Sequence, residues 1–251
     1  MKNIALIFAG GVGSRMGASI PKQFLEVSNK PIIIHTLELF ELNENIDEIY
    51  IGCIEDYIPY LQQMIDRFNV GKIAKIYPGG SSGQDTIYRG LCAIKENNDN
   101  AVVLIHDGVR PLVTEETINN CITDAAKYGS AITVTPAFET PIISLNGNLV
   151  DSMPKRQFVY TAQAPQCFNL NDIMLWHYKE RLKGDSAYEG IVDSCGLAMA
   201  NGVRPHLTTG NRGNVKVTTN EDYLTLIANN LANDFGQFMD LRQNSLEKKR
   251  K

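Results

Sequence analysis

The chain has 251 residues, a net charge of −4 and an apolar fraction of 43%, which is typical of a globular protein long enough to bury a substantial core. The basic run at residues 248–251 is expected to be a solvated tail, so the charge pattern argues against a nucleic-acid-binding face. Five cysteines without a C-x-x-C pair argue against a disulfide framework or a structural zinc site. Reduced thiols favour a cytoplasmic protein.

The first half of the chain alternates apolar runs with helical patterns. The predicted strands are Asn3–Phe8, Asp47–Cys53, Ile73–Tyr77, Ala101–His106 and Ser130–Thr135. The predicted helices are Pro31–Phe40, Glu55–Phe68, Gln84–Lys95 and Glu115–Tyr128. The apolar run in the first strand is too short to cross a membrane. This alternation predicts an α/β fold, with a mostly parallel twisted sheet and helices on both faces. Ligands of such folds bind at the carboxyl ends of the strands.

The alternation stops at about residues 138–158, where β-branched residues flank the turn signal Asn146-Gly147-Asn148. This stretch predicts an extended hairpin inserted as a β-arm. Two helices (residues 170–182 and 190–201), a short strand (205–208) and a capped helix from Thr219 are predicted to follow. Trp176, His177 and Tyr178 are interpreted as packing or surface residues. We predict a single domain over residues 1–235 and a polar tail over 236–251.

The loop after the first strand combines glycines with two cations. Gly10, Gly11 and Gly13 allow backbone amides to approach phosphate oxygens, and Arg15 and Lys22 supply positive charge for phosphoryl transfer. A tight turn alone also explains the glycines. The loop lacks the G-K-[ST] ending of a P-loop and the third glycine of a dinucleotide fingerprint, which argues against an NAD-dependent oxidoreductase.

Two motifs together, G-G-V-G-S-R-M at residues 10–16 and P-K-Q-F at 21–24, resemble the signature of sugar-alcohol-phosphate cytidylyltransferases. That family includes the enzymes for 2-C-methyl-D-erythritol 4-phosphate and ribitol 5-phosphate. The resemblance extends from Asn3 to about Leu226. It implies a Rossmann-like nucleotidyltransferase fold and magnesium-dependent transfer of CMP from CTP, with Arg15 and Lys22 stabilising the transition state.

The resemblance also assigns a nucleotide pocket. It implies that Gly80, Ser81 and Thr86, from the stretch Gly79–Thr86, line the cytosine and ribose site together with the amides of Ala9 and Gly10. An ordinary helix cap is the alternative interpretation of this stretch. One position departs from the family pattern, because Gly83 stands where an arginine is usual.

The motif H-D-x-x-R-P at residues 106–111 ends the fourth predicted strand. Asp107 is predicted to hold Mg²⁺ or position the triphosphate, since carboxylate oxygens suit that ion. His106 is interpreted as a hydrogen-bonded structural residue, because an ionised phosphate needs no strong base. Arg110 is expected to brace either Asp107 or the loop.

Two later motifs extend the predicted site. Residues 214–218 match the family's N-[IV]-K-[IV]-T, which implies that Lys216, expected at a strand end, contacts the triphosphate. Asp193 corresponds to a family aspartate and is predicted to bind the acceptor, although a helix N-cap is the alternative.

The family resemblance gives the arm a role. It implies that the arm crosses to a second subunit of a homodimer, where Thr140 and Arg156 bind the acceptor phosphate. An exposed surface arginine is the alternative for Arg156. Ala164 stands where the family usually has threonine, and this departure bears on the identity of the acceptor.

The predicted activity is transfer of CMP from CTP to a polyol phosphate, with release of pyrophosphate. D-ribitol 5-phosphate, which gives CDP-ribitol for a surface polymer, is favoured by details in residues 21–36 and 125–129. The isoprenoid-pathway acceptor methylerythritol phosphate and another polyol phosphate are alternatives. A non-catalytic nucleotide-binding regulator on the same fold is the alternative from another class.

Overall fold

A seven-stranded sheet forms the centre of the protein. In the computed structural model, which describes residues 1–11 and 20–231, the strands of this sheet are β1 (Lys2–Ala9), β4 (Glu48–Cys53), β5 (Ile73–Pro78), β6 (Ala101–Asp107), β7 (Ser130–Pro136), β8 (Tyr160–Asn169) and β9 (His206–Thr209). A small hairpin of β2 (Glu26–Val27) and β3 (Lys30–Pro31) lies outside it. The helices are α1 (Ile32–Glu41), α2 (Ile58–Arg67), α3 (Gly83–Lys95), α4 (Glu115–Tyr128), α5 (Leu170–Arg181) and α6 (Ser194–Ala200). Residues 220–231 are also helical.

The strand order is β5-β4-β1-β6-β8-β7-β9. Neighbouring strands are parallel except for β8, which is antiparallel to both β6 and β7. The predicted mostly parallel α/β sheet is therefore confirmed. It carries one internal antiparallel strand that the sequence analysis did not predict.

Strand β8 was missed because its sequence is atypical of a central strand. Polar residues and Pro165 interrupt it, and proline inside a sheet is confined to edges and bulges. The register between β7 and β8 shifts between Ile132 and Val134. At this irregularity the Thr133 hydroxyl donates to the Pro165 carbonyl over 2.6 Å, which keeps the two strands connected.

The sheet is buried on both faces, because β6 sends alternate side chains into two apolar cores. Val102 and Leu104 pack with α1, α2 and α4 on one face. Ala101, Val103 and Ile105 pack with α3, α5 and α6 on the other. Every residue of β6 is buried, as expected for a strand covered on both sides.

Side-chain caps fix several helix ends. Ser82 caps α3 and Thr114 caps α4, each accepting from a backbone amide three residues later. The predicted capping box before the last helix is present, since Thr219 and Asp222 bond reciprocally. Gly129 closes α4 with a φ of 84°, a conformation that favours glycine.

The arm between β7 and β8 differs from the predicted extended hairpin. Among the residues described there, one bridge joins Ile143 to Ser152, and the turn is held by the Asn146 side chain, which accepts from the amides of Asn148 and Leu149. The arm carries exposed apolar side chains at Leu145, Leu149 and other positions. A two-stranded ribbon that lacks a buried face is marginally stable, which explains why regular pairing is so limited.

Candidate active site

A cleft of about 680 Å³ opens at the carboxyl ends of β1 and β6. One wall is formed by the first turn of α3, at residues 82–84, and a second wall by residues 187–188 and 191–194. Asp107 and Lys216 lie in the lining, as do Gln163 and Ala164 of β8. The cleft therefore occupies the edge of the sheet where α/β folds bind ligands.

Asp107 lies between two cations. Its Oδ1 is 2.5 Å from Lys216 Nζ and its Oδ2 is 2.7 Å from Arg110 Nε. The carboxylate is buried, and burial alone would raise its pKa. The ion pairs with Lys216 and Arg110 outweigh burial and lower the pKa below its ordinary value. Asp107 is therefore ionised at neutral pH.

The loop that carries Lys216 is docked by backbone contacts. Arg110 Nη1 donates to the Asn214 carbonyl over 2.8 Å, and the Val217 amide donates to the Val109 carbonyl over 2.9 Å. Arg110 thus braces both Asp107 and this loop. Lys216 was expected at a strand end, but residues 214–218 form an irregular segment without strand pairing, because side-chain and single backbone bonds replace a ladder.

Lys22 lies beside this loop, because its Nζ donates to the carbonyl of Val217 over 3.0 Å. It begins a short 3-10 turn, Lys22–Phe24. The next residue, Gln23, is buried and donates to the Ala9 carbonyl at the end of β1 over 2.7 Å. Two distant stretches therefore bring Lys22 and Lys216 together. The predicted residues Gly13 and Arg15 lie outside the described residues.

The two glycine-containing loops meet at Thr86. A Cβ on Gly10 would lie 3.1 Å from Thr86 Oγ1 and 3.7 Å from the Cα of Gly79. The Gly80 amide donates to Thr86 Oγ1 over 2.9 Å, and the Ser81 amide donates to Asp85 Oδ2 over 3.1 Å. These two amides, which the sequence assigned to the pyrimidine, are thus bonded within their own loop. Gly11 is exposed at the end of the described first segment.

His106 lies behind the cleft, fully buried against the ring of Phe40. Its Nε2 is 3.2 Å from the Arg110 carbonyl. Burial lowers its pKa to about 4, so the ring is neutral at pH 7. This environment suits a structural histidine, as the sequence suggested, and leaves the chemistry to the cations.

The predicted acceptor residues occupy two different places. Asp193 lines the cleft and caps α6, because its Oδ1 accepts from the Gly196 amide over 2.8 Å. Its Oδ2 accepts from Gln166 Nε2, also over 2.8 Å. Thr140 and Arg156 are exposed on the arm, where Arg156 donates to the Phe138 carbonyl. The fold does not place these two arm residues in the cleft of the same chain.

Several cleft residues were not predicted from the sequence. Gln166, on the missed strand β8, holds the start of α6 by also accepting from the Cys195 amide over 2.9 Å. Tyr188 lines the wall with a φ of 63°, which is unusual for an aromatic residue. No local signal identifies either one, since both depend on elements distant in sequence.

The donor set bears on whether a metal fits. In the part of the chain that the structure describes, no three His, Cys, Asp or Glu side chains are close enough to form a metal cage. Mg²⁺ in nucleotide sites is usually held by one or two carboxylates together with substrate phosphates. Asp107 provides one such carboxylate, so the residues fit an ion that enters with a triphosphate.

Comparison with known proteins decides the family. Residues 3–230 match the family model described as 2-C-methyl-D-erythritol 4-phosphate cytidylyltransferase. The chain belongs to this cytidylyltransferase family. The predicted family and enzyme class are thereby confirmed: it is a CTP-dependent nucleotidyltransferase.

Individual family members show how broad the likeness is. The ribitol-5-phosphate cytidylyltransferase of Vibrio parahaemolyticus is 46% identical, over 88% of this chain and 92% of that protein. The 2-C-methyl-D-erythritol 4-phosphate cytidylyltransferase of Clostridium botulinum is 41% identical, over 89% and 95%. The solved 4-diphosphocytidyl-2C-methyl-D-erythritol synthase of Anaerococcus prevotii superposes with a TM-score of 0.78, at 27% identity over 90% and 95%. As for membranes, no helix in the described ranges has the length and apolar character of a bilayer span.

Proposed function

We propose that this cytidylyltransferase transfers CMP from CTP to D-ribitol 5-phosphate and releases pyrophosphate. The observation that carries the reaction type is that Asp107 and Lys22 both contact the loop that carries Lys216, where Asp107 and Lys216 line the cleft. The acceptor is supported by the 46% identical relative, which is named for ribitol 5-phosphate.

In the proposed reaction, the protein mainly positions the two substrates and stabilises charge. An ionised phosphate oxygen of the acceptor forms a bond to the α-phosphorus of CTP, while the bond from that phosphorus to the β-phosphate oxygen breaks. In the transition state, negative charge accumulates on the oxygens around the α-phosphorus. In this proposal Lys22 and Lys216 stabilise that charge. Arg15 is proposed as a third such cation on the basis of its motif.

Asp107 has a dual role in this proposal. It holds Lys216 through an ion pair and offers its remaining lone pairs to Mg²⁺ that arrives with the triphosphate. The ion would supply charge neutralisation across the phosphates. Arg110 keeps Asp107 oriented and ionised whether or not the ion is bound.

The two walls of the cleft are assigned to the two substrates. Residues 82–84 of the lining, with the adjoining loops 79–81 and Ala9–Gly11, form the proposed nucleotide side. A Cβ on Gly10 or Gly79 would lie only 3.1 Å or 3.3 Å from its nearest neighbour, so the two loops pack tightly there. Residues 187–194, including Asp193, form the proposed acceptor side. The amides of Gly80 and Ser81 would have to exchange their bonds to Thr86 and Asp85 for bonds to the base.

The arm is proposed to complete the partner's site in a homodimer. Its apolar side chains are heavily exposed in the single chain, with Leu145 at 86%, Phe158 at 71% and Leu149 at 69%. A cluster of this kind marks a protein interface. In this proposal, Thr140 and Arg156 contact the acceptor phosphate in the cleft of the second subunit.

A panel assay tests the acceptor. Pyrophosphate release from CTP and Mg²⁺ is measured with ribitol 5-phosphate, methylerythritol 4-phosphate and glycerol 3-phosphate. We expect kcat/KM for ribitol 5-phosphate to exceed that for the other two by about ten-fold or more. A higher value for methylerythritol phosphate would transfer the assignment to the alternative, which the 41% identical relative supports. Release with none of the three would overturn the proposed acceptor class.

A further inference from the structure

One carboxylate behind the cleft, that of Asp85, connects the loop at residues 79–82 to α5. The nucleotide-side loop, residues 79–82, has no charged residue of its own. Asp85, one turn into α3, packs directly on it, because a Cβ on Gly80 would lie 2.1 Å from Asp85 Oδ2. The same oxygen accepts from the Ser81 amide over 3.1 Å.

The other oxygen of Asp85 is held from a different element. Arg181, in the last turn of α5, donates from Nη1 to Asp85 Oδ1 over 2.9 Å. Its guanidinium lies 4.3 Å from the centre of the Tyr88 ring, which fixes the plane of the group against α3. Arg181 therefore connects α5 to the loop that Asp85 supports.

Arg181 also has a neighbour on the acceptor-side wall, Tyr188, whose hydroxyl bonds to His177, one turn before Arg181 on α5. Burial lowers the pKa of Arg181, but hydrogen bonds to Asp85 and to the Tyr188 hydroxyl outweigh it and raise the pKa above its ordinary value. Tyr188 lines the cleft with a φ of 63°, and its hydroxyl is 2.7 Å from Nδ1 of the buried His177. A bulky residue keeps such a backbone conformation only where its surroundings fix it.

Arg89 offers an internal comparison. Its Nη2 is 3.2 Å from Asp85 Oδ2 and its Nη1 donates to the Gly79 carbonyl over 3.1 Å. Arg89 thus pairs with the same carboxylate and has similar exposure, with 50% of its side chain accessible against 41% for Arg181. Both of its contacts stay on α3 and the preceding loop, so it does not join the two walls.

We propose that Arg181 is a positioning residue that couples the nucleotide-side loop to the acceptor-side wall of the cleft. CTP bound against residues 79–82 draws the Ser81 amide away from Asp85, which leaves that carboxylate to pair more fully with Arg181, and Arg181 in turn holds Tyr188 in place for the acceptor. This inference rests on the proposed function for the identity of the two substrates. By linkage, each substrate should then raise the affinity for the other by the same factor.

The test compares Arg181→Met with the matched variant Arg89→Met. For Arg181→Met, we expect the KM for the acceptor to rise about five-fold at saturating CTP, and the dependence of that KM on CTP concentration to disappear. Arg89→Met should keep the dependence. Backbone hydrogen exchange is followed in both proteins without substrates, over peptides covering residues 79–83 and 184–193. Arg181→Met should accelerate exchange in both segments about five-fold, and Arg89→Met only in the first.

The outcomes separate this inference from the proposed function. If the wild-type chain turns over none of the acceptors, the proposed function fails and hydrogen exchange alone decides the coupling. If turnover is normal but the two variants behave alike in KM and exchange, the coupling role of Arg181 is wrong. If Arg181→Met folds poorly, Tyr188→Phe, which removes only the hydroxyl, replaces it in the test. In Tyr188→Phe the acceptor KM must then no longer depend on the CTP concentration. An unchanged dependence in Tyr188→Phe would also overturn the proposal.

Discussion

At the scale of single residues, charge compensation organises the site. Asp107 is almost completely buried, with 7% of its side chain accessible, and an isolated buried carboxylate would be strongly unfavourable. The pairs with Arg110 and Lys216 keep it ionised. They also hold Lys216 at the cleft, so a single arrangement provides both stability and the positive charge that phosphoryl transfer needs.

A lysine comparison tests the catalytic assignment at this scale. Lys22→Ala is expected to lower kcat by ~10²–10³ because it removes a cation from the transition state, while the free energy of unfolding changes by about 1 kcal/mol or less. Lys72→Ala is the matched control, since Lys72 also donates to a backbone carbonyl, that of Asn43, over 2.7 Å. It should leave kcat unchanged. Steady-state kinetics and urea denaturation of the same preparations provide both numbers.

The assignment of Lys22 would be contradicted by activity that falls only in proportion to the folded fraction. The same pair of measurements on Arg15→Ala tests the third proposed cation.

At the scale of elements, the site is assembled from loops that follow strands. The ends of β1 and β6 are neighbours in the sheet, with Phe8 paired to Asp107, so the glycine loop and Asp107 necessarily lie close together. By contrast, Thr140 and Arg156 of the arm between β7 and β8 do not line the cleft of their own chain. The described residues of the arm form one isolated bridge and expose apolar side chains, which is the basis of the proposed role in a homodimer.

A mixing experiment tests the exchange of arms. Arg156→Ala and Lys216→Met are each expected to lower activity strongly, Arg156→Ala by raising the acceptor KM with CTP affinity retained. If the arm acts in the partner's cleft, a heterodimer of the two variants contains one intact site. Random re-association at equal amounts should then restore about a quarter of wild-type activity. Turnover is measured after co-refolding or co-expression with two different tags.

Mixtures that stay as inactive as the separate variants would show that Arg156 acts in the cleft of its own chain. If the wild-type chain elutes from gel filtration as a monomer, the proposed homodimer is also contradicted.

At the scale of the whole molecule, two buried histidines make stability depend on pH. Burial lowers the pKa of His106 to about 4 and that of His177 to about 3, whereas an unfolded chain titrates histidine at roughly 6.5. Between those values the unfolded chain binds more protons than the folded one. The free energy of unfolding is therefore fully retained above about pH 6.5 and falls as the pH is lowered toward 4.

Urea denaturation at pH 7, 6 and 5 measures this effect. Between pH 7 and pH 5, we expect each buried histidine to lower the free energy of unfolding by on the order of 2 kcal/mol. His177→Asn should flatten the profile, and the partly exposed His206→Asn serves as the matched control. A profile of unchanged steepness in His177→Asn would show that this histidine is not the source.

Much of the architecture was predictable because its causes are local. The periodicity of apolar residues located β1, β4, β5, β6 and β7 and the helices between them. The capping box at Thr219 marked the start of the last helix. Strand β8 escaped prediction because its stability comes from pairing with two strands already formed, not from its own composition.

The sequence by itself determined the family, the parallel α/β order and the residue types of a phosphoryl-transfer site, since each is encoded in short segments with clear physical preferences. Only the tertiary structure decided that Lys216 pairs with Asp107, that Lys22 bonds to the neighbouring Val217 carbonyl, and that Asp85 pairs with Arg181 of α5. These contacts join residues 96 to 195 positions apart. Their geometry depends on the packing of whole elements, which no local pattern specifies.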